Sequence, residues 1–210
     1  MENKLKFNKS NFSPNTIAAT ISDAVEEFNI ANKPQERAVL SVTTHTLAWE
    51  PPSLSTTKIN IDAGCFPNGT TGWGMVVRNH EGAVSRAETK LESLKIDPIV
   101  AEALGLRWCL QWAKDQSFES LIVETDSEIV AKCINGSMHY ANLDVIILDC
   151  LELLSGMRNS TVTSISRNRN SAAHCLVGMA RNLGSRSWVG IVPDPLKSII
   201  CKDALFIFNQ

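Results

Sequence analysis

This 210-residue chain predicts an α/β domain, with a five-stranded mixed sheet and helices on its faces, on three observations. Strand-like segments at 58–64, 72–78 and 83–91 follow one another across the turn signals Phe66-Pro67-Asn68-Gly69-Thr70 and His80-Glu81-Gly82, as an antiparallel meander requires. The compact run Leu121-Ile122-Val123 comes after a long helical segment, so that strand is reached by a crossover and lies parallel to the first. Helical periodicity with one further strand completes the order β-β-β-α-β-α-α-β-α.

The length allows one sizeable core with a short appendage. Hydrophobic content of 44% with 20% charged residues is ordinary for a soluble globular protein. No apolar run approaches the roughly 18 residues of a membrane span, so no membrane association is expected. The mixed charges of Met1-Glu2-Asn3-Lys4-Leu5-Lys6 lack the apolar core of a secretory signal. An intracellular location follows as an expectation, with nucleus and cytoplasm not distinguished. Six cysteines without a C-x-x-C pair read as buried reduced thiols.

Residues 1–56 are expected to form an amphipathic helix and a linker. Ser13 and Pro14 start the helix, Ile17, Ile21, Ala24, Val25 and Phe28 follow at helical spacing, and Trp49-Glu50-Pro51-Pro52 interrupts any regular element. The main domain spans 57–184. Its first strand, Lys58-Ile59-Asn60-Ile61-Asp62-Ala63-Gly64, turns Ile59 and Ile61 one way and Lys58, Asn60 and Asp62 the other. That polar face suits either a solvated edge strand or a gathering of carboxylates around metal. Asp97-Pro98 opens a helix reaching about Asp115, with Glu102 in its first turn. Trp108 and Trp112, one turn apart, read as packing residues more than as platforms for bases.

Asp126-Ser127 closes the fourth strand and opens a helix stopped by Asn135-Gly136. A further helix covers 141–157, the last strand 161–166, and the last long helix 170–183, ended by Gly184. The tail, 185–210, carries Pro193, Pro195 and an apolar end expected to pack back on the domain. Net charge of −2 gives no global case for nucleic-acid binding, but the distribution is uneven. Five arginines and no acid lie between Arg158 and Arg186, whereas seven acids face Lys132 alone between Glu119 and Glu152. A local basic face of this kind steers a polyanion irrespective of total charge.

Phosphodiester hydrolysis at neutral pH needs an activated water and a stabilised leaving oxygen, which two divalent cations roughly 4 Å apart supply. Magnesium takes hard oxygen ligands and keeps several waters, so a few carboxylates suffice. Asp62, Glu102 and Asp126 are the candidates, although Glu102 also suits a helix N-terminus and Asp126 an N-cap.

The element order, with Lys58-Ile-Asn-Ile-Asp62-Ala-Gly, Val100-Ala-Glu102-Ala-Leu and Val123-Glu-Thr-Asp126-Ser, resembles the type 1 ribonuclease H family. It looks most like the plant branch related to the ribonuclease H domains of retrotransposon reverse transcriptases. The resemblance covers about 58–183. It implies a ribonuclease H-like fold and two Mg2+ (or Mn2+) ions, with Asp62 bridging both and Glu102 and Asp126 completing the site. The implied activity is endonucleolytic cleavage of the RNA strand of RNA–DNA hybrids, leaving a 3′ hydroxyl and a 5′ phosphate. Arg167 and Arg169, with Ser127 beside Asp126, are the implied nucleic-acid contacts, and a monomer is expected.

The last motif departs from the family. It reads Arg167-Asn-Arg-Asn170-Ser-Ala-Ala173-His174, so His174 stands where a fourth carboxylate is expected. Imidazole prefers softer metals than magnesium and brings no negative charge. The loop before the last helix has no histidine, and the Lys- and Trp-rich insertion with which some members grip hybrids is missing. These departures leave an alternative from another class: a non-catalytic module of the same fold that binds nucleic acid or a protein partner.

Overall fold

Strand β1 (Thr57–Cys65) lies in the interior of the sheet, and its polar face is buried from Lys58 to Asp62. The structure is a computed structural model and describes residues 48–208 apart from residue 119. The helix expected after Ser13 and most of the linker lie outside the described residues. β1 pairs antiparallel with β2 (Thr71–Arg78) and parallel with β4 (Leu121–Thr125), so the solvated-edge reading of Asp62 does not hold.

Among the described residues the sheet has six strands, not five, in the order β5-β4-β1-β2-β3-β6. β3 (Val84–Glu92) completes the meander, and β5 (Ser160–Ser164) lies parallel to β4. The strand that sequence reasoning missed is β6 (Arg186–Val189), antiparallel to β3. Four residues with one apolar face too short to show alternation give no strand signal, and both outer strands are short, as sheet edges commonly are.

Helix α1 (Pro98–Lys114) crosses one face, together with α2 (Glu128–Ile134) and α3 (Asp144–Ser155). Their apolar sides meet Ile59, Ile61, Met75, Val77 and Val123 in one core. Helix α4 (Ser171–Leu183) covers the other face with α5 (Asp194–Phe208), around Val76, Ala87, Leu176 and Leu196. Two expected boundaries shift. Residues 141–143 form a short 3-10 turn ahead of α3, and Glu102 is in the second turn of α1, whose first turn holds no acid.

Two glycines set the helices close to the sheet. A Cβ on Gly74 would stand 2.5 Å from the Ala173 carbonyl oxygen and 2.8 Å from Val177 N, so β2 admits the α4 backbone only because that Cβ is missing. On the other face, a Cβ on Gly105 would stand 2.7 Å from Cδ1 of Trp73. The first contact carries α4 to the β1 residue opposite Gly74, which is Asp62.

The segment before β1 is held firmly where a linker was expected. Trp49 is buried with its ring stacked 3.4 Å from the Arg78 guanidinium. Arg78, wholly buried, donates to Asp203 of α5 at 2.7 Å and to Asn60 at 2.9 Å. Asn60 in turn donates to Glu124 at 2.9 Å, and Lys58 pairs with Glu124 at 2.8 Å. Of the six cysteines, all free, Cys109, Cys133 and Cys150 are buried as expected, while Cys65 and Cys201 are exposed.

Candidate active site

Parallel pairing fixes the first two carboxylates. Ile61 of β1 stands opposite Thr125 of β4, so the next residues, Asp62 and Asp126, emerge side by side at one end of the central strands. Glu102 arrives from α1 on the opposite face, held by Ala101 and Ala103, which are buried, and by the Trp73 indole N–H donated to the Ala101 carbonyl at 2.8 Å. The three carboxylates offer oxygens that all lie within 4.8 Å of one another.

Burial and mutual repulsion dominate their electrostatics. Asp62, 2% exposed, is raised above the ordinary aspartate value first by burial and then by the Asp126 charge; hydrogen bonds from His174 and the Ala63 N–H pull the other way. Glu102 is pushed up to about 9, first by burial and then by the charges of Asp62 and Asp126. Asp126 is not a helix cap. Ser127 performs that role, its hydroxyl oxygen accepting the Val130 N–H at 3.4 Å. Asp126 therefore keeps its carboxylate directed to the cluster, and the hydroxyl proton of Ser127 stays available to an acceptor.

Helix α4 brings His174 to the site. Its Nδ1 stands 2.7 Å from Asp62 Oδ2, and the Arg167 Nη2 lies 3.1 Å from its Nε2. In the tautomer protonated at Nδ1, the ring donates to Asp62 and accepts from Arg167. Arg167 also approaches Asp126 at 4.0 Å and is largely exposed. Arg169 is less free: it pairs with Glu50 at 3.2 Å, and its Nε is buried without a hydrogen-bond partner among the described residues.

One contributor escaped sequence reasoning. Asn170, fully buried at the start of α4, donates to the Ile61 carbonyl at 3.0 Å and to Asp126 at 3.4 Å, tying β1 and β4 together beside the carboxylates. Its only signal was membership of the Arg-Asn run. Trp108 and Trp112 are partly buried against the α1 core, which agrees with a packing role.

The donor set fits a hard divalent cation. Three carboxylates with oxygens within 4.8 Å of one another, one of them pushed up to about 9 by burial and then by the charges of the others, are relieved by positive charge at their centre.

Similarity to known proteins agrees with this arrangement. The family model described as reverse transcriptase-like matches residues 60–180, which include all three carboxylates and His174. Among solved structures, ribonuclease H1 from the halophilic archaeon Halobacterium salinarum is 22% identical with a TM-score of 0.56, covering 60% of this chain and 98% of that one. The N-terminal ribonuclease H domain of Rv2228c from Mycobacterium tuberculosis is 21% identical with a TM-score of 0.53, covering 70% and 97%. LC11 ribonuclease H1, solved in complex with an RNA/DNA hybrid, is 20% identical with a TM-score of 0.53, covering 59% and 94%. No curated protein matches the chain. The structural likenesses show a ribonuclease H fold, and by the family match over most of its described length the chain belongs to the reverse transcriptase-like family.

Proposed function

We propose that this protein is a metal-dependent endonuclease that hydrolyses the RNA strand of RNA–DNA hybrids. The observation that carries the reading is the convergence of Asp62, Glu102 and Asp126 to within 4.8 Å, from two strands and a helix distant in sequence. Asp62, Glu102 and Asp126 would hold the Mg2+ or Mn2+, two ions in the fullest form of the reading. When bound, such a cation activates water and stabilises the leaving oxygen.

The remaining work falls to the chain's own groups. Asn170 and the Ala63 N–H orient Asp126 and Asp62, so the carboxylates present a fixed set of oxygens. Arg167, exposed beside them, is placed to hold a phosphate, and Ser127 offers a hydroxyl next to Asp126. Arg169 is a weaker phosphate contact while Glu50 holds it. The hybrid found with LC11 ribonuclease H1 supports this choice of substrate class, as does the fold.

A second reading, a non-catalytic module of the same fold, is favoured by His174. Its 2.7 Å contact occupies an Asp62 oxygen that a metal would need. The test is cleavage of a labelled RNA–DNA hybrid with Mg2+ or Mn2+, beside titration of either ion into the protein followed by calorimetry. Cleavage abolished by Asp62→Asn supports the enzyme. Neither ion binding nor cleavage by the wild type selects the module.

A further inference from the structure

Helix α5 follows α4 in the chain and brings a second set of side chains to the neighbourhood of His174. Between the start of α4 and α5 runs an open groove of about 500 Å³. Arg167 and His174 stand on one bank and Lys202 of α5 on the other, with Asn168 and Ser171 lining the α4 side. Arg167 also lines a second open groove, of about 620 Å³, that reaches Asp126, Ser164 and Ser166. It thus divides two grooves that meet at the carboxylate end of the sheet.

The charge of the α5 groove is one-sided. Its acid, Asp203, is mostly buried and neutralised by Arg78 at 2.7 Å. Lys202 is exposed and acts on Asp203 through its charge, without a direct ion pair among the described residues. Arg167 is 66% exposed and stands 4.0 Å from Asp126. The groove thus holds two accessible cations beside neutral hydroxyl and amide groups, with Ala48 and Ile199 as its apolar lining residues. Paired cations beside hydroxyl and amide groups suit the phosphates and sugars of a nucleic-acid backbone.

We propose that this groove holds the backbone of one nucleic-acid strand alongside the carboxylate site, with Lys202 and Arg167 contacting phosphates from its two banks. The proposal rests on the nucleic-acid reading above and adds α5 to the binding surface. Its physical basis is that each lysine or arginine set against a phosphate releases condensed counterion, so the contact is visible as salt dependence. The Arg78–Asp203 pair has a positioning role: it fixes the turn of α5 that carries Lys202.

The test is anisotropy of a fluorescent RNA–DNA hybrid with the full chain, free of divalent cation, across about 50 to 200 mM salt. Lys202→Ala should weaken binding several-fold at the low end and lower the slope of log K against log salt by about 1. Lys202→Glu should weaken it further, and Lys202→Arg should restore it. A scan of single methylphosphonates, which are neutral, should find a position that weakens the wild type and leaves Lys202→Ala unaffected. Slopes unchanged in both Lys202→Ala and Lys202→Glu, with unaltered circular dichroism, overturn the proposal. If the wild type cleaves while those slopes stay unchanged, the groove falls and the enzyme reading stands. A slope reduced in Lys202→Ala, together with a wild type that binds the hybrid but never cleaves it, leaves the groove standing and removes the enzyme. A wild type that binds no hybrid overturns both.

Discussion

Lys58, Asn60 and Asp62 alternate along one face of β1 and are buried alike, yet the charges around the first two balance and those around the third do not. At one end, Lys58 and Arg78 meet Glu124 and Asp203 through contacts of 2.7 to 2.9 Å, with Asn60 between them. At the other, Asp62, Glu102 and Asp126 converge with a histidine contact and an arginine 4.0 Å away. Buried charge is expensive unless paired, so a balanced cluster is explained by the fold it ties together. An unbalanced cluster is not. The same strand thereby separates a structural cluster from the candidate active site by charge balance alone.

The largest effect that would break this comparison is on cleavage. Asp62→Asn keeps the shape of the side chain and removes charge from the unbalanced end. Hybrid cleavage should fall by more than the roughly 10- to 100-fold that a change behind a metal ligand costs. The fold should persist, since repulsion toward Glu102 is relieved. Full activity in the purified variant would remove the metal site.

At the balanced end the expected effect is on stability. Asp203→Ala strands the wholly buried Arg78 guanidinium and should destabilise the protein by about 3 kcal/mol, because breaking one side of a buried pair leaves an uncompensated charge. Denaturant unfolding measures it. A loss below about 1 kcal/mol, the range of an exposed pair, would mean that the cluster does not hold α5 to the sheet.

These two ends were unequally legible in the sequence. The carboxylate trio was readable because each member ends or follows a strongly patterned element: Asp62 in an alternating strand, Asp126 after an apolar run, Glu102 after an Asp-Pro helix start. The balanced cluster was not, since Arg78 and Asp203 are 125 residues apart and neither stands in a pattern that implies a buried partner. For the same reason Trp49-Glu50-Pro51-Pro52 read as a linker, although Trp49 stacks on Arg78. Short elements were lost as well. β6 has four residues, and its pairing with β3 depends on where Gly184 turns the chain. Asn170 read only as the start of the last long helix, because its two acceptors, the Ile61 carbonyl and Asp126, come from other elements.

A pH experiment sharpens the contrast. Burial and the charges of Asp62 and Asp126 raise Glu102 from 4.5 to about 9. In that window the fold keeps a proton that the unfolded chain has released, so the stability linked to Glu102 is complete below about pH 4.5 and is lost as pH rises toward 9. Glu102→Gln imitates the protonated acid. Without divalent cation it should match the wild type near pH 4 and exceed it near pH 8 by about 1–2 kcal/mol, roughly 2–8 °C in melting temperature. Adding Mg2+ or Mn2+ should stabilise the wild type more than the variant and narrow that gap. A gap that does not vary with pH would place the Glu102 proton outside the carboxylate cluster.

The smallest expected effect concerns His174, where the imbalance is partly relieved by hydrogen bonding. Its Nδ1 contacts Asp62 at 2.7 Å, so a fourth side chain does reach the trio from α4. His174→Asp replaces a borderline nitrogen with a hard oxygen and adds a negative charge to the cluster. Free of metal, the variant should be less stable than the wild type, because another carboxylate joins three that already repel. With magnesium the order should reverse, and the concentration needed for half-maximal cleavage should fall several-fold. Arg167 moderates the gain: at 3.1 Å from His174 Nε2, it is placed to pair with the new carboxylate and offset part of its charge. The wild type should favour manganese, which accepts imidazole more readily than magnesium does. Melting curves against each ion follow the binding half of this prediction without relying on activity. If His174→Asp alters neither the metal-free stability nor the response to either ion, the histidine is a hydrogen-bond donor to Asp62 alone, and the site works with three carboxylates.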